Sequence, residues 1–208
     1  MMISGYDEVA RCKVIGNIIT AYVVVDDDFF IKNKKLRIKD SKVLTENRIK
    51  QIFNLTKDLV KFYKISYITP QEMMGDNINK LEMKKLLEAI KESEEKGLKS
   101  DKIFVNNFEV NEVVFKNRFL ELNQNLELYN RIKLSHHSKE KAIYLASIYA
   151  RYFELLENEE IRKKFGDFGS GSPADKNTRE FILKNKDTDI VRKSYKTYKD
   201  LCNKTFLN

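Results

Sequence analysis

A chain of 208 residues with 42% apolar side chains can bury the core of one domain, and no apolar run approaches the ~20 residues a membrane-spanning helix needs. Its 39 Lys and Arg against 31 Asp and Glu leave a net charge of +8, which suits a polyanionic partner, while 34% charged residues also fit an ordinary Lys-rich solvated surface. Cys12 and Cys202 lie at opposite ends with no second ligand at metal spacing, so they predict reduced thiols in a cytoplasmic protein. The first six residues lack the basic-then-apolar pattern of a signal peptide.

The chain opens with a short apolar lead, 1-MMIS-4, then 5-GYDEVARC-12. Asp7 and Glu8 place two adjacent carboxylates at the mouth of the most apolar segment, and adjacent strand residues point to opposite faces. Both reach one site only if the backbone turns there, which 10-ARC-12 permits. Residues 14–25 are nearly continuous in β-branched and apolar side chains, predicting a strand covered on both faces and ended by 26-DDD-28. From Thr45 to Val60, Ile49, Ile52, Phe53 and Leu59 recur at helical spacing, with Thr45 as the cap. The stretch 62-FYKISYIT-69 alternates as a strand closed by Pro70.

A second helix is predicted from Ile78 to Glu95, with Leu81, Met83, Leu86, Leu87 and Ile90 inward and Gly97 as its stop. The run 102-KIFVNNF-108 is short and apolar and ends in two asparagines; 126-LELYNRIKLS-135 predicts another strand. The clearest helix is 139–157. Its stripe of Ala142, Leu145, Ala146, Tyr149, Tyr152, Phe153 and Leu156 begins with small residues that let the backbone approach a sheet. Beyond Gly166 come the glycine- and serine-rich 169-GSGSPADKNTREF-181 and a basic helical tail. These elements predict a single α/β domain over 1–208, with helices packed on a central mixed sheet and a small helical C-terminal extension.

Five stretches in order, and a short tail after them, resemble type 2 ribonuclease H, the RNase HII/HIII family. 5-GYDEVARCKVIG-16 is similar to its first-strand Asp-Glu motif, and 40-DSKVLT-45 to its Asp-Ser-Lys-x-Leu motif. 102-KIFVNNF-108 sits where the family has a strand ending in a metal-binding Asp. 138-SKEKAIYLASIYARY-152 resembles the Ala-Ala-Ser-Ile helix, its end closest to the RNase HIII branch. 169-GSGSPADKNTREF-181 and 192-RKSYKT-197 resemble the loop, helix and tail of archaeal RNase HII. The resemblance implies a ribonuclease-H-like fold that binds RNA/DNA hybrid across its face. It also implies four carboxylates holding two divalent cations ~4 Å apart, one activating water and one stabilising the leaving 3′ oxygen.

Asp7 and Glu8 match the first two of those carboxylates. The third position falls on Asn106, and the fourth on His137 when aligned on 146-ASIYARY-152. Asn brings a carbonyl oxygen without charge, and His is a softer ligand that suits Mn²⁺ better than Mg²⁺. Glu109 and Glu140 stand three residues beyond these positions as substitutes; Glu140 also fits the acid expected at a helix start, and Glu109 is open to either reading. The pair His136-His137 reads equally as a solvated turn.

The resemblance further implies substrate contacts from Ala10, Arg11 and Cys12 in place of a Gly-Arg-Gly turn. Ser41, Lys42 and Lys139 would meet phosphate, as would Ser170, Ser172 and Lys176 in the glycine-rich loop and the helix after it. Ala and Cys in the turn should hold the backbone further from a ribose than glycine would. Ser172 replaces the family's tyrosine, which argues against excision of single ribonucleotides. With its first strand carrying the Asp-Glu motif, the sequence is not expected to include the extra N-terminal domain of RNase HIII.

Two functions are compatible with these residues. One is a divergent binder of hybrid or duplex nucleic acid with impaired or lost cleavage. The other is an active hybrid endonuclease with an altered ligand set and weakly held Mn²⁺ or Mg²⁺. Asn106 and His137 favour the first. A monomer is expected, with no membrane partner.

Overall fold

The computed structural model describes residues 1–135 and 140–205. One sheet contains β1 (Met2–Val9), β2 (Ile18–Asp26), β3 (Phe62–Ile68), β4 (Lys102–Asn106) and β5 (Ile132–Ser135), in the spatial order β3-β2-β1-β4-β5. β1, β2 and β3 pair antiparallel, while β4 runs parallel to β1 and β5 parallel to β4. The helices are α1 (Phe29–Lys32), α2 (Glu46–Thr56), α3 (Glu72–Gly75), α4 (Ile78–Glu95), α5 (Glu112–Leu122), α6 (Leu126–Arg131), α7 (Lys141–Phe165), α8 (Lys176–Lys184) and α9 (Lys196–Thr205).

β2 is the central hydrophobic element because both its faces are covered. Ile19, Ala21, Val23 and Val25 join a core with α2 and α7, while Tyr22 and Val24 join one with α4 and α5. Each large aliphatic residue so buried contributes about 1.5–3 kcal/mol. The strand starts at Ile18 rather than residue 14. Val14 instead donates its N–H to Gly171 O at 3.0 Å and Ile15 bridges to Val191, so the C-terminal segment claims that stretch.

α2 starts where its cap requires, with Thr45 Oγ1 accepting from Arg48 N at 3.3 Å; Leu59 lies past its end and is exposed. α4 ends before Gly97, whose φ of +76° a side chain would disfavour. α7 lies across β1 and is the closest-packed helix. A Cβ built on Gly5 would fall 2.0 Å from the carbonyl oxygen of Ala142, so the bare glycine on the strand admits the helix backbone this closely.

Three further features depart from the sequence pattern. Residues 126–135 are not one strand: Asn125 accepts from Leu128 N at 3.0 Å and caps the short helix α6, leaving only four residues for β5. Leu128 is buried and Leu126 exposed, which suits the helical turn. α5 was not foreseen, although Asn111 caps it and Phe115 and Phe119, four apart, both lie at 0% exposure. α7 also outlasts its apolar stripe. It continues to Phe165 because Ile161 packs with Val14, Phe168, Phe181 and Ile182 in a C-terminal cluster. Among the described residues, no helix is long and apolar enough to cross a membrane.

Candidate active site

The C-terminal ends of the parallel strands β1 and β4 lie side by side, the place where open α/β sheets expose ligand sites. Pairing of Tyr6 with Val105 puts Asp7 next to Asn106. Asn106 Nδ2 donates to Asp7 Oδ1 at 2.8 Å, and the same oxygen accepts the N–H of Glu8 at 2.9 Å. β1 stays extended through Val9, so Asp7 and Glu8 leave it on opposite faces. The chain turns only afterwards, at Ala10, and both carboxylates still line one cleft because they stand at the end of the sheet.

Asp7 is 8% exposed, and its carboxyl is held well above the usual carboxylate range by burial and then by the charge of Glu8. Glu8 Oε2 is buried with no hydrogen-bond partner among the described residues. A buried acceptor oxygen in that condition suits a cation. Asp7 and Glu8 therefore fit one divalent ion; no group of three or more His, Cys, Asp or Glu among the described residues is arranged to hold a metal.

The turn after Glu8 is held from the far end of the chain. Arg192, at 0% exposure, donates Nε to Gly16 O at 2.8 Å and Nη1 to the carbonyls of Ala10 at 2.8 Å and Lys13 at 2.7 Å. Tyr195 adds its hydroxyl to Arg11 O at 2.7 Å. This clamp supports Ala10 at φ +64°, a conformation costing a non-glycine residue about 1–2 kcal/mol. A left-handed turn thus forms without the glycines that would favour it.

Arg11 turns inward. Its guanidinium bonds Glu82 Oε2 at 2.7 Å and also Asn79, so its charge is engaged by α4. Glu82 is fully buried, and its carboxyl is raised by burial and by Glu8 while Arg11 opposes the rise. Asn79 also donates to Glu109 Oε2 at 2.7 Å, and Arg118 binds the other oxygen of Glu109. Glu109 is thereby committed to a buried ion pair with α5. Glu140 is the N-cap residue of α7.

The cleft, about 510 Å³, is bounded on one side by Asp7, Glu8 and the 10–13 turn, with Cys12 exposed in it, and on the other by Ser41, Lys42 and Arg151. Ser41 and Lys42 lie on a short 3₁₀ turn capped by Asp40, and Ser41 N donates to Ser147 Oγ of α7 at 3.1 Å. Lys13 reaches Glu154 at 2.5 Å and Arg151 also pairs with it. Together the two cations outweigh the burial that would raise the Glu154 carboxyl, and its pKa is lowered.

The glycine-rich loop packs beside the turn, since a Cβ at Gly171 would touch the Lys13 side chain at 3.1 Å. Ser170 Oγ accepts from Ser172 N, and Ser172 Oγ from Ala174 N, both at 3.3 Å. Lys176 stands apart from the cleft, 88% exposed, and meets Glu180 at 3.8 Å. His137 and Lys139 lie outside the described residues; β5 ends at Ser135, which pairs with Asn106.

Sequence reasoning assigned no role to Arg192, Tyr195, Glu82 or Glu154. The cue for Arg192 was its place directly after two apolar residues, Ile190 and Val191. Nothing local marks Glu82 or Glu154, whose burial follows from the packing of α4 and α7 on the sheet.

The comparisons with known proteins agree with this geometry. A family model for ribonuclease HII matches residues 4–198. Ribonuclease HII of Picrophilus torridus is 35% identical over 208 aligned residues, which cover 97% of this chain and 98% of that one. The Pyrococcus furiosus enzyme is 30% identical over 211, covering 97% and 91%. The crystal structure of ribonuclease H2 from Pyrococcus horikoshii OT3 superposes with a TM-score of 0.85 at 26% identity, covering 100% of both chains. Sheet order, the Asp7-Glu8 strand end and a match over nearly the whole length converge: the chain belongs to the ribonuclease HII family.

Proposed function

We propose that this protein binds RNA/DNA hybrid or duplex nucleic acid in the cleft at the ends of β1 and β4, with endonuclease activity impaired relative to a site of four carboxylates. The observation that carries this reading is the bond from Asn106 Nδ2 to Asp7 Oδ1 at 2.8 Å. An amide donor occupies a carboxylate lone pair that a cation needs, and it adds no charge to attract one. A divalent ion bound here would activate water and stabilise the leaving 3′ oxygen. Asp7 and Glu8 are the side chains that would hold it, and two carboxylates confine a dication less well than four.

The rest of the cleft supports binding. Lys42 is exposed on a capped turn, and Arg192 and Tyr195 fix the 10–13 turn at the cleft edge by binding its carbonyls. Phosphate and ribose contacts of this kind position a duplex without reading its sequence.

A second reading draws on the buried, unpartnered Glu8 Oε2. That oxygen favours cation binding, and with it an active endonuclease that uses Mn²⁺, which tolerates a softer ligand set such as Asp7, Glu8, Asn106 and His137. Cleavage of a labelled RNA/DNA hybrid across a series of Mg²⁺ and Mn²⁺ concentrations separates the two. Binding without cleavage in either metal supports the first reading. Turnover in Mg²⁺ that Asp7→Asn abolishes would overturn it.

A further inference from the structure

The segment 34-KKLRIKDSK-42 carries five cations and one acid. Lys34, Lys35, Arg37, Lys39 and Lys42 are all exposed, and none has a carboxylate partner among the described residues. Asp40, the single acid, accepts the backbone N–H of Lys42 at 2.8 Å and caps the turn. On the α4 side of the sheet the pattern is different: Lys80, Lys84, Lys96 and Lys99 each pair with Glu or Asp at 2.7–3.0 Å. The strip is therefore a dense run of unpaired positive charge, five cations within nine residues.

The strip is also rigidly mounted. Ile38 is buried, and Leu36 and Leu44 pack on the core with α2 and α7. Arg48 donates to Leu36 O, and Arg37 takes the left-handed conformation, φ +49° and ψ +49°, where the chain reverses. Lys35, Arg37, Lys39 and Arg48 line a hollow of about 550 Å³, and Leu44 lies on both this hollow and the Asp7-Glu8 cleft. Leu44 is thus a wall common to the two concavities. Cations on a fixed backbone lose less freedom on binding than cations on a loose loop.

We propose that residues 34–42 form a second phosphate-binding surface, carrying the backbone of a nucleic-acid duplex away from the cleft and past Leu44. The proposal rests on the reading of the cleft as a nucleic-acid site. It adds where the duplex leaves that site and which side chains hold it. Phosphates spaced along a rigid duplex match a row of cations continuous with the cleft, and each contact releases condensed counterions.

The test is the salt dependence of binding to a fluorescent RNA/DNA hybrid long enough to extend beyond the cleft. One variant removes three charges from the strip (Lys35→Gln, Arg37→Asn, Lys39→Gln), with Asn chosen because it tolerates the left-handed backbone. A control removes three exposed, unpaired charges elsewhere (Lys57→Gln, Lys102→Gln, Lys133→Gln). The strip variant should flatten the slope of log K against log salt by about 0.9 per lost contact, roughly 2–3 in all, and the control by less than about 1.

Hybrid binding by wild type and strip variant with equal slopes would overturn the strip and leave the cleft reading standing. Equal flattening by both variants would reduce the effect to net charge and overturn it as well. No binding by wild type at low salt would remove both readings. If wild type prefers phosphatidylserine vesicles to the hybrid, and the strip variant loses the vesicles, the surface belongs to a membrane and the proposal falls. Should the triple variant unfold at lower temperature than wild type, Lys35→Gln and Lys39→Gln singly replace it, each expected to flatten the slope by about 0.9.

Discussion

Asn106 and Asp7 show how one atom type changes a site. An aspartate at 106 would present a third negative oxygen beside Asp7, whose carboxyl is already raised by burial and by Glu8. Without metal, Asn106→Asp should therefore lower the thermal midpoint. Added Mg²⁺ should recover the loss and more, because a ligand that binds only the folded state stabilises it. The pair Asn106→Asp with His137→Glu should raise hybrid cleavage in Mg²⁺ by ~10²-fold or more, with each single change helping less, since ligands acting as a unit are not additive. A folded double variant that binds hybrid without any gain in rate would count against the role assigned to these positions. Arg192 admits a different test. Arg192→Lys keeps the charge but cannot reach Gly16, Ala10 and Lys13 together, leaving buried carbonyls unpaired at a cost on the order of 2–4 kcal/mol. Urea denaturation reads that loss directly.

Among the elements, the contact of β1 with α7 and the cap of α8 make separate predictions. Gly5→Ala would drive a methyl group to within 2.0 Å of the Ala142 backbone oxygen, and neither element can yield without moving the Asp7-Glu8 end of the strand. A destabilisation of about 1–3 kcal/mol is expected from overpacking, accompanied by weaker hybrid binding. Asp175 caps α8, accepting from Ser170 N at 2.6 Å and Asn177 N at 2.9 Å, and these bonds lower its pKa to about 2. A depressed carboxylate stabilises the fold above its unfolded pKa of about 3.9, and that contribution disappears as pH falls through about 2. Proteolysis of the 169–175 loop should therefore rise across this window. Asp175→Asn should remove the pH dependence of that cleavage; an unchanged acid profile in the variant would show that another group governs it.

At the scale of the whole molecule, the net charge of +8 is unevenly placed. Ion pairs neutralise much of the α4 side and engage Arg11, Lys13 and Arg151 at the cleft, while the 34–42 strip, with Lys42 at the cleft margin, keeps free cations. Hybrid affinity should fall steeply as salt rises, with a log–log slope near −0.9 for each phosphate engaged. Anisotropy titrations at several salt concentrations measure that slope. Salt-independent affinity would mean that the positive surface takes no part in binding.

Local chemistry in the sequence determined a good deal. Residues 14–25 read as a strand buried on both sides because a nearly unbroken β-branched run has no polar face to give to water, and the strand forms over Ile18–Asp26 once the C-terminal segment has claimed Val14 and Ile15. α2 and α4 were legible from cap and period together, and the motif around Asp7 and Glu8 pointed to the site. α5 and α6 were not foreseen. α6 is under two turns long, and the apolar run at 126–135 also alternates as a strand does. α5, eleven residues long, has apolar residues on its exposed side, Val113, as well as its buried one, Phe115 and Phe119, and so shows no clean stripe. Only tertiary structure decided what surrounds the site. Glu109 is turned from a candidate ligand into the partner of Arg118, and Arg11 from a candidate phosphate contact into the partner of Glu82. Arg192 crosses from the C-terminal segment to clamp a turn at residue 10. Those outcomes depend on which distant elements share a buried space, where a charge must find a counter-charge and a carbonyl must find a donor. No local pattern of residues encodes that pairing.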